Sequence, residues 1–395
     1  MILLLVLYAL CVLAMFHSYM LYPLILAWLA KGKSFTHQMY SRQEELPQVV
    51  IFFSVFNGEL VLAEKIESML ASDYPADKLR IIVGSDASTD RTDEIVLAAA
   101  AKDSRVSLER FSRRGKANVI NAIRAQLVQE GIAENTVFVL TDAYAIFEKN
   151  TLFEMVKHFK DISIGIVGAN YINTNVQGGG ISHQEKAYIQ RENLIKYREG
   201  LVLGSMMGVY GACYAVRGVE FPKFPSTILM EDFYVSMLAL QRRQKGILAI
   251  DSKFYENIPN SIDIEFKRKK RISAGNFQNL AYFKSLLLPS YGKTAFAFWS
   301  HKVLRWLGPF FIFFSYVFAG LLALTGQSIF LALFGLHLLV LSLPIFDRIL
   351  QLFNIHLAPL RYITYFLSMN MAILAGLKWY WQGIETNVWQ PTNRN

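Results

Sequence analysis

Hydrophobic positions fall along the chain in two ways. At the ends they form long, nearly unbroken blocks. Between the ends they come as short runs alternating with polar or amphipathic stretches. Met1 to Leu29 is apolar, interrupted by His17, Ser18 and small or aromatic residues. About 20 such residues cross a bilayer core as a helix, so residues 1–30 are read as a transmembrane helix; the basic leader and small-residue cleavage site of a secretory signal are not visible in it. The C-terminal block predicts three more spans within 301–380, at about 303–325, 328–346 and 358–377. Gly326-Gln327 and Asp347-Arg348 separate them, and Pro309 and Pro344 are placed to kink them.

The middle, residues 45–260, has a different rhythm. Val49–Phe56, Leu79–Gly84, Val106–Phe111, Val137–Leu140 and Ile164–Asn170 are short apolar runs rich in β-branched and aromatic residues, the pattern of buried strands. Helical stretches lie between them, at about 59–71 with Asn57 as its cap, from Asp90 to Ala101, and from Lys116 to Gln129. Such alternation predicts an α/β domain with a mostly parallel sheet covered on both faces. Then come a Gly178-Gly179-Gly180 loop, a charged helix over Ser182–Arg198, a small-residue strand over Gly208–Val216, a helix over Glu231–Arg243 and a strand over Ile247–Tyr255.

Composition sharpens this division. Of 395 residues, 53% are hydrophobic and only 18% charged, against about 25% charged in an average soluble domain. The formal net charge of +9 is concentrated. Ile264 to Arg305 holds nine basic residues and a single acid, Glu265. Residues 261–300 therefore read as basic amphipathic helices on an anionic leaflet, or as a clamp for a phosphate-rich substrate. No nucleic-acid module accompanies them, so nucleic acid is not an expected partner. Lys31 and Lys33 follow the first span, which puts the middle domain in the cytoplasm by the positive-inside rule. Four spans then leave the tail outside, with Trp379, Trp381 and Trp389 suited to an interface. Cys11 and Cys213 offer neither a disulfide framework nor a metal spacing.

Candidate chemistry collects where strands end. In open α/β sheets ligands bind outside the carboxyl ends of the strands. Asp86 follows the second strand and is placed to accept hydrogen bonds from a base or ribose, whereas Asp90 reads as a helix cap. Arg113-Arg114-Gly115-Lys116 precedes a helix N-terminus, which favours anions. Asp142 ends the fourth strand, where one carboxylate plus phosphate oxygens can hold a divalent ion. Glu231-Asp232 opens a helix and could supply a general base. Arg268 and Arg271 could steady a leaving diphosphate. No Gly-x-Gly-x-x-Gly or Walker loop is present, which removes nicotinamide and P-loop readings.

Taken in this order, the segments resemble family 2 glycosyltransferases, the membrane-embedded inverting enzymes that include hyaluronan, chitin, cellulose and poly-N-acetylglucosamine synthases. Ser54-Val55-Phe56-Asn57-Gly58-Glu59 stands where the family has Pro-Val-Tyr-Asn-Glu-Glu, and Ser85-Asp86-Ala87-Ser88-Thr89-Asp90 is close to its Asp-Asp-Gly-Ser-Thr-Asp. Gly115-Lys116-Ala117 with Asn121-Ala122, Thr141-Asp142-Ala143, Gly211 to Arg217 and Glu231-Asp232-Phe233 resemble the remaining blocks. The resemblance implies a GT-A type cytoplasmic domain inserted between transmembrane helices. It implies that Glu59, Asp86 and Lys116 hold the nucleotide and Asp142 ligates Mg²⁺ or Mn²⁺. Asp232 would deprotonate the acceptor hydroxyl, Glu231 beside it would bind substrate, and Arg271, with Arg268, would steady the diphosphate. Tyr144 stands in place of the second metal-motif Asp, leaving Asp142 to act with phosphates and water. Arg268 to Ile272 keeps the Arg of the processive enzymes' Gln-x-x-Arg-Trp motif without its Gln and Trp.

The expected activity is transfer from a nucleotide-diphosphate sugar, a UDP-sugar first, to a polysaccharide or lipid-linked glycan. The expected setting is a multi-pass protein of the plasma (inner) membrane with a possible export or assembly partner. The alternatives are single-sugar transfer to a polyprenyl phosphate and a non-catalytic membrane protein of the same fold.

Overall fold

The computed structural model describes residues 1–175, 181–257, 260–353 and 355–386. The Gly178–Gly180 loop, Trp389 and Arg394 lie outside the described residues.

A single helix, α1 (Ile2–Ala30), precedes the sheet. The strands are β1 (Gln48–Val55), β2 (Leu79–Asp86), β3 (Val106–Phe111), β4 (Thr136–Thr141), β5 (Ile146–Phe147), β6 (Ile164–Thr174), β7 (Cys213–Arg217) and β8 (Lys245–Asn257), in the spatial order β3-β2-β1-β4-β7-β6-β8-β5. β3, β2, β1 and β4 run parallel, as the apolar runs predicted. β7 enters antiparallel to both β4 and β6, and β8 runs parallel to β6. The sheet is therefore mostly parallel, and its central strands β1, β2, β4, β6 and β7 are largely buried on both faces, while β3 at the edge is not.

One face packs on α2 (Leu62–Leu70), α3 (Thr92–Lys102) and α5 (Thr151–Val156), the other on α4 (Lys116–Gln129). Phe52, Phe138 and Phe221 meet edge-to-face on this second side, with centroids 5.3 to 5.9 Å apart. Full burial of each is worth about 1.5–3 kcal/mol. α6 (Ser182–Leu203) and α7 (Glu231–Gln241) carry the chain back towards the C-terminal helices.

Several elements differ from expectation. β7 is shorter than the Gly208–Val216 run because Gly208 adopts φ +86 with Phe233 packed against it, and the chain leaves the sheet there. β5 and α5 are too short for a periodic signal, and neither was expected. Asn57 does not cap α2. It has φ 52, and its Oδ1 accepts the Thr89 N–H at 2.8 Å, tying the loop after β1 to the loop after β2. Asp90 stands one residue before the N-cap, Arg91, and accepts the N–H of Thr92 at 3.0 Å across the turn that leads into the helix.

The C-terminal part comprises α8 (Ile262–Tyr282), α9 (Lys293–Trp306), α10 (Gly308–Ala323), α11 (Ser328–Leu352) and α12 (Ala358–Gln382). Among the described residues three helices (α1, α11 and α12) are long and apolar enough to cross a membrane, or four if α9 and α10 count as one broken span. That pair is bent by 63°. Pro309 opens α10 just past the break, where its missing N–H interrupts the ladder. Pro344 lies inside an unbroken α11. A third apolar cluster, including Tyr22, Leu26, Met207, Phe233, Phe277 and Trp306, binds α1 and the C-terminal helices to α6 and α7.

Part of the basic segment turns inward rather than towards a leaflet. Arg268 and Lys269 pair with the buried carboxylates of Glu185 and Glu265, at 3.1 to 3.6 Å. Charges buried without partners are costly, so Glu185 of α6 draws α8 against it, while Glu265 pairs with the same two cations within α8.

Candidate active site

The carboxyl ends of β1, β2 and β4 face two cavities that share Lys116 and Asp142 in their walls. The smaller, about 70 Å³, is lined by the ends of β1 and β2, Arg113, Gly115 and Tyr144. The larger, about 370 Å³, extends from Asp142 past Asp232 and Arg271 to α1, α9 and α12. Its size is within the usual range of ligand sites.

Asp86 ends β2 almost fully buried. It lines the smaller cavity, with its oxygens already engaged by the loop before α4. Its carboxylate accepts from the Arg113 guanidinium and from the N–H groups of Arg114 at 2.7 Å and Gly115 at 3.0 Å. It thereby fixes the start of α4, where Gly115 has φ +84. Arg113 stacks over the Phe56 ring, 3.7 Å from its centroid. This leaves a floor of peptide, guanidinium and ring at the smaller cavity. Glu59 is exposed and lines neither cavity. Its carboxylate accepts the N–H of Arg91 at 3.1 Å, and its own N–H donates to Asp90 at 3.0 Å, so it braces the rim.

Lys116 is the hinge of the site. It donates to Asp142 at 2.7 Å and to Glu231 at 2.6 Å. Burial works against its charge, but the two carboxylates outweigh that and hold its pKa above the ordinary lysine value. Asp232 follows Glu231 in the first turn of α7 and is 7% exposed. Gly211 makes room for it: a Cβ there would lie 3.0 Å from the Asp232 Oδ2. Burial first, and then the Glu231 charge, push the Asp232 carboxyl up to about 6, with Lys116 opposing them. A carboxylate so raised is suited to accept a proton near neutral pH. Arg271 lines the same cavity and donates to the Leu229 carbonyl at 3.3 Å. Arg268 also lines it, but is engaged by Glu185 and Glu265. The structure thus gathers Lys116, Asp142, Glu231, Asp232 and Arg271, sets Asp86 behind them, and leaves Glu59 outside.

Residues 50–220 match the profile of glycosyl transferase family 2. The matched stretch runs from β1 through β7 and includes Asp86, Lys116 and Asp142. Its similar proteins include the beta-monoglucosyldiacylglycerol synthase of a Synechocystis strain, 22% identical over 274 residues, which are 67% of this chain and 55% of that protein. A 53-residue stretch, 13% of each chain, is 42% identical to a probable glycosyltransferase, YdaM, of Bacillus subtilis. The alignments therefore span little more than half of the first relative and a small part of the second. Among solved structures, the mannosyltransferase PcManGT of Pyrobaculum calidifontis, in complex with GDP-Man and Mn²⁺, superposes with a TM-score of 0.67 at 20% identity. The match covers 95% of this chain and 99% of that one. This likeness is one of fold: an α/β, GT-A-like architecture with a mostly parallel sheet.

Residues that sequence reasoning passed over also line the larger cavity, among them Lys196, Tyr210, Glu192, His301, Lys302 and Arg305. Glu192, Lys196 and Glu199 recur at helical spacing on α6, a signal readable in the sequence. Their partners on α9 lie more than 100 residues away and are not. Lys65 of α2 was missed as well. Fully buried, it donates to Thr141 Oγ1 at 2.9 Å and to the Ala145 carbonyl, bracketing the turn that carries Asp142.

Proposed function

We propose that this chain is an inverting glycosyltransferase. It moves a sugar from a nucleotide-diphosphate donor, a UDP-sugar first, to the hydroxyl of a polysaccharide or lipid-linked glycan at the plasma (inner) membrane, with the family 2 domain cytoplasmic. The observation that carries this reading is the Asp142–Lys116–Glu231–Asp232 array at the junction of the two cavities. The nucleotide belongs in the smaller cavity, against Asp86, Arg113 and Lys116, with its diphosphate towards Asp142 and Arg271. The acceptor belongs in the larger one, which opens among α1, α9 and α12. Asp232 takes the proton of the acceptor hydroxyl as its oxygen attacks the anomeric carbon from the face opposite the nucleotide. The bond from that carbon to the diphosphate oxygen breaks, and its electron pair leaves with the nucleotide. Arg271 and Lys116 stabilise the charge that develops there.

The donor set can be tested against a divalent cation. Among the described residues no three His, Cys, Asp or Glu side chains gather as a metal site. Asp142 is one-third exposed beside the smaller cavity, which fits a hard cation held by one carboxylate together with phosphate oxygens and water. Mg²⁺ or Mn²⁺ so held would neutralise charge on the diphosphate.

A second reading, transfer to a polyprenyl phosphate, differs chemically: a phosphate oxygen is already ionised near neutral pH and needs no base. Nucleotide release by protein purified in detergent, with a panel of UDP- and GDP-sugars, Mn²⁺ and a membrane-extract acceptor, tests the proposal. Turnover of at least one donor is expected, and none with any donor overturns it.

A further inference from the structure

The larger cavity contains a cation that the transfer chemistry above does not use. Lys196 sits on α6 and is 4% exposed. Its Nζ lies over the Tyr210 ring, 3.4 Å from the centroid. It makes no hydrogen bond and no ion pair with a described side chain. Both residues line the cavity.

The neighbouring acids are already engaged. Glu192, one turn earlier on α6, accepts from His301 Nε2 at 3.0 Å, from Lys302 at 3.4 Å and from Arg305. Glu199, one turn later, accepts from Tyr22 at 2.8 Å, from His301 Nδ1 at 2.7 Å and from the Met207 N–H at 2.9 Å. His301 thus bridges the two carboxylates, and its Nε2 also meets the Lys302 ammonium at 3.3 Å. Lys196, Lys302 and Arg305 share this end of the cavity with His301 and Glu192; Glu192 is engaged by the last two cations, and Asp232 and Glu199 act on Lys196 without pairing with it. Burial, and next the charge of Lys302, push the Lys196 ammonium down to about 7, while Glu192 and Asp232 oppose them. An unpaired ammonium held in a buried wall is unfavourable in the empty protein, and a ligand anion would relieve it.

Two π-helical turns build this wall. His17–Leu21 of α1 and Phe298–Val303 of α9 meet through Ser300, whose Oγ bonds His17 Nε2 at 2.9 Å and whose carbonyl accepts from Ser18 at 2.7 Å. Such turns cost regular helix geometry and often mark functional positions. Here they present Tyr19, His301 and Lys302 to the cavity.

We propose that this end of the larger cavity is an anion site for the acceptor, in which Lys196, with Lys302 and Arg305 beside it, holds an oxyanion carried by the acceptor molecule. The site is distinct from the diphosphate position at Asp142 and Arg271. It rests on the glycosyl-transfer reading only for calling the ligand an acceptor. The apolar helices around the cavity mouth favour an amphiphile as the carrier, with free phosphate as the other source of the same chemistry.

Binding to full-length protein in an uncharged detergent, followed by Trp306 fluorescence without donor, tests the site. Octyl phosphate should bind at least tenfold tighter than octyl glucoside. Lys196→Gln should lose that preference, and Lys196→Arg should keep most of it. Inorganic phosphate that competes equally marks a free-anion source, whereas competition by octyl phosphate alone marks an amphiphile. Thermal melting supplies a second readout. Removing an unpaired buried charge should leave the Tm of Lys196→Gln unchanged or raised. Equal binding of octyl phosphate and octyl glucoside by wild type overturns the proposal, as does a lowered Tm of Lys196→Gln with its phosphate preference intact. Because no donor is present, failure here leaves glycosyl transfer standing, and absence of donor turnover leaves this site standing.

Discussion

Replacing Glu231 by Gln removes one charge next to Asp232 and keeps an oxygen for Lys116. Asp232 is lifted from 3.8 to about 6, by burial first and Glu231 second, while Lys116 pulls the other way. If Asp232 is the base, only its ionised form works, so kcat/KM should rise with pH through an acid limb centred near 6. Removing Glu231 takes away the smaller of the two raising causes. The limb should then move down by about one pH unit, equivalent to ~1.4 kcal/mol of differential interaction. Lys116→Met removes the opposing charge and should move the limb up. The assay is nucleotide release at subsaturating donor between pH 4.5 and 8.5. Stability should carry the same signature with the opposite consequence. A carboxyl whose folded pKa is raised stabilises the fold at low pH, and that contribution is lost as pH rises through about 6. Asp232→Asn should therefore raise the Tm at pH 7.5 and change it less at pH 4.5. A limb that stays fixed in Glu231→Gln, or moves up, refutes this account of the pair.

Two further outcomes are expected. Asp142→Ala should abolish cation-stimulated release, while Tyr144→Phe should change it less than about threefold, because a phenol is a weak ligand for a hard cation; cation titrations of the two variants check this. Gly376→Ala should destabilise by about 1–3 kcal/mol, since its Cβ would lie 2.5 Å from both the Lys270 carbonyl and Ser273 Cβ where α12 crosses α8; thermal melting in detergent would show it.

The legible part of this protein is what depends on neighbours in sequence. β3 and α4 were bounded correctly because an apolar run and a glycine-started helix carry their own signals. The positions of Asp142 after a strand and of Asp232 in a first helical turn were legible because strand ends and helix starts are local features. Asp86 was placed at the right strand end, but its three loop donors were not foreseeable. They require Gly115 and Arg113 to fold back across β2. Glu59 looked like a nucleotide ligand from its block alone, yet its carboxylate serves the Arg91 N–H of the neighbouring loop. The inward turn of Arg268 was hidden for the same reason, since Glu185 lies 83 residues away in sequence. Lys196 was least legible. A lysine within a charged helix reads as solvated until α1 and α9 are seen to close over it.

The central claim is that Asp232 accepts the acceptor's proton in a sugar transfer from a nucleotide donor. Nucleotide release by Asp232→Asn beside wild type, with donor affinity measured on the same samples by calorimetry, tests it directly. Release should fall by a factor of about 10²–10⁴, with donor affinity within about threefold of wild type. Release at the wild-type rate with unchanged donor affinity would contradict it.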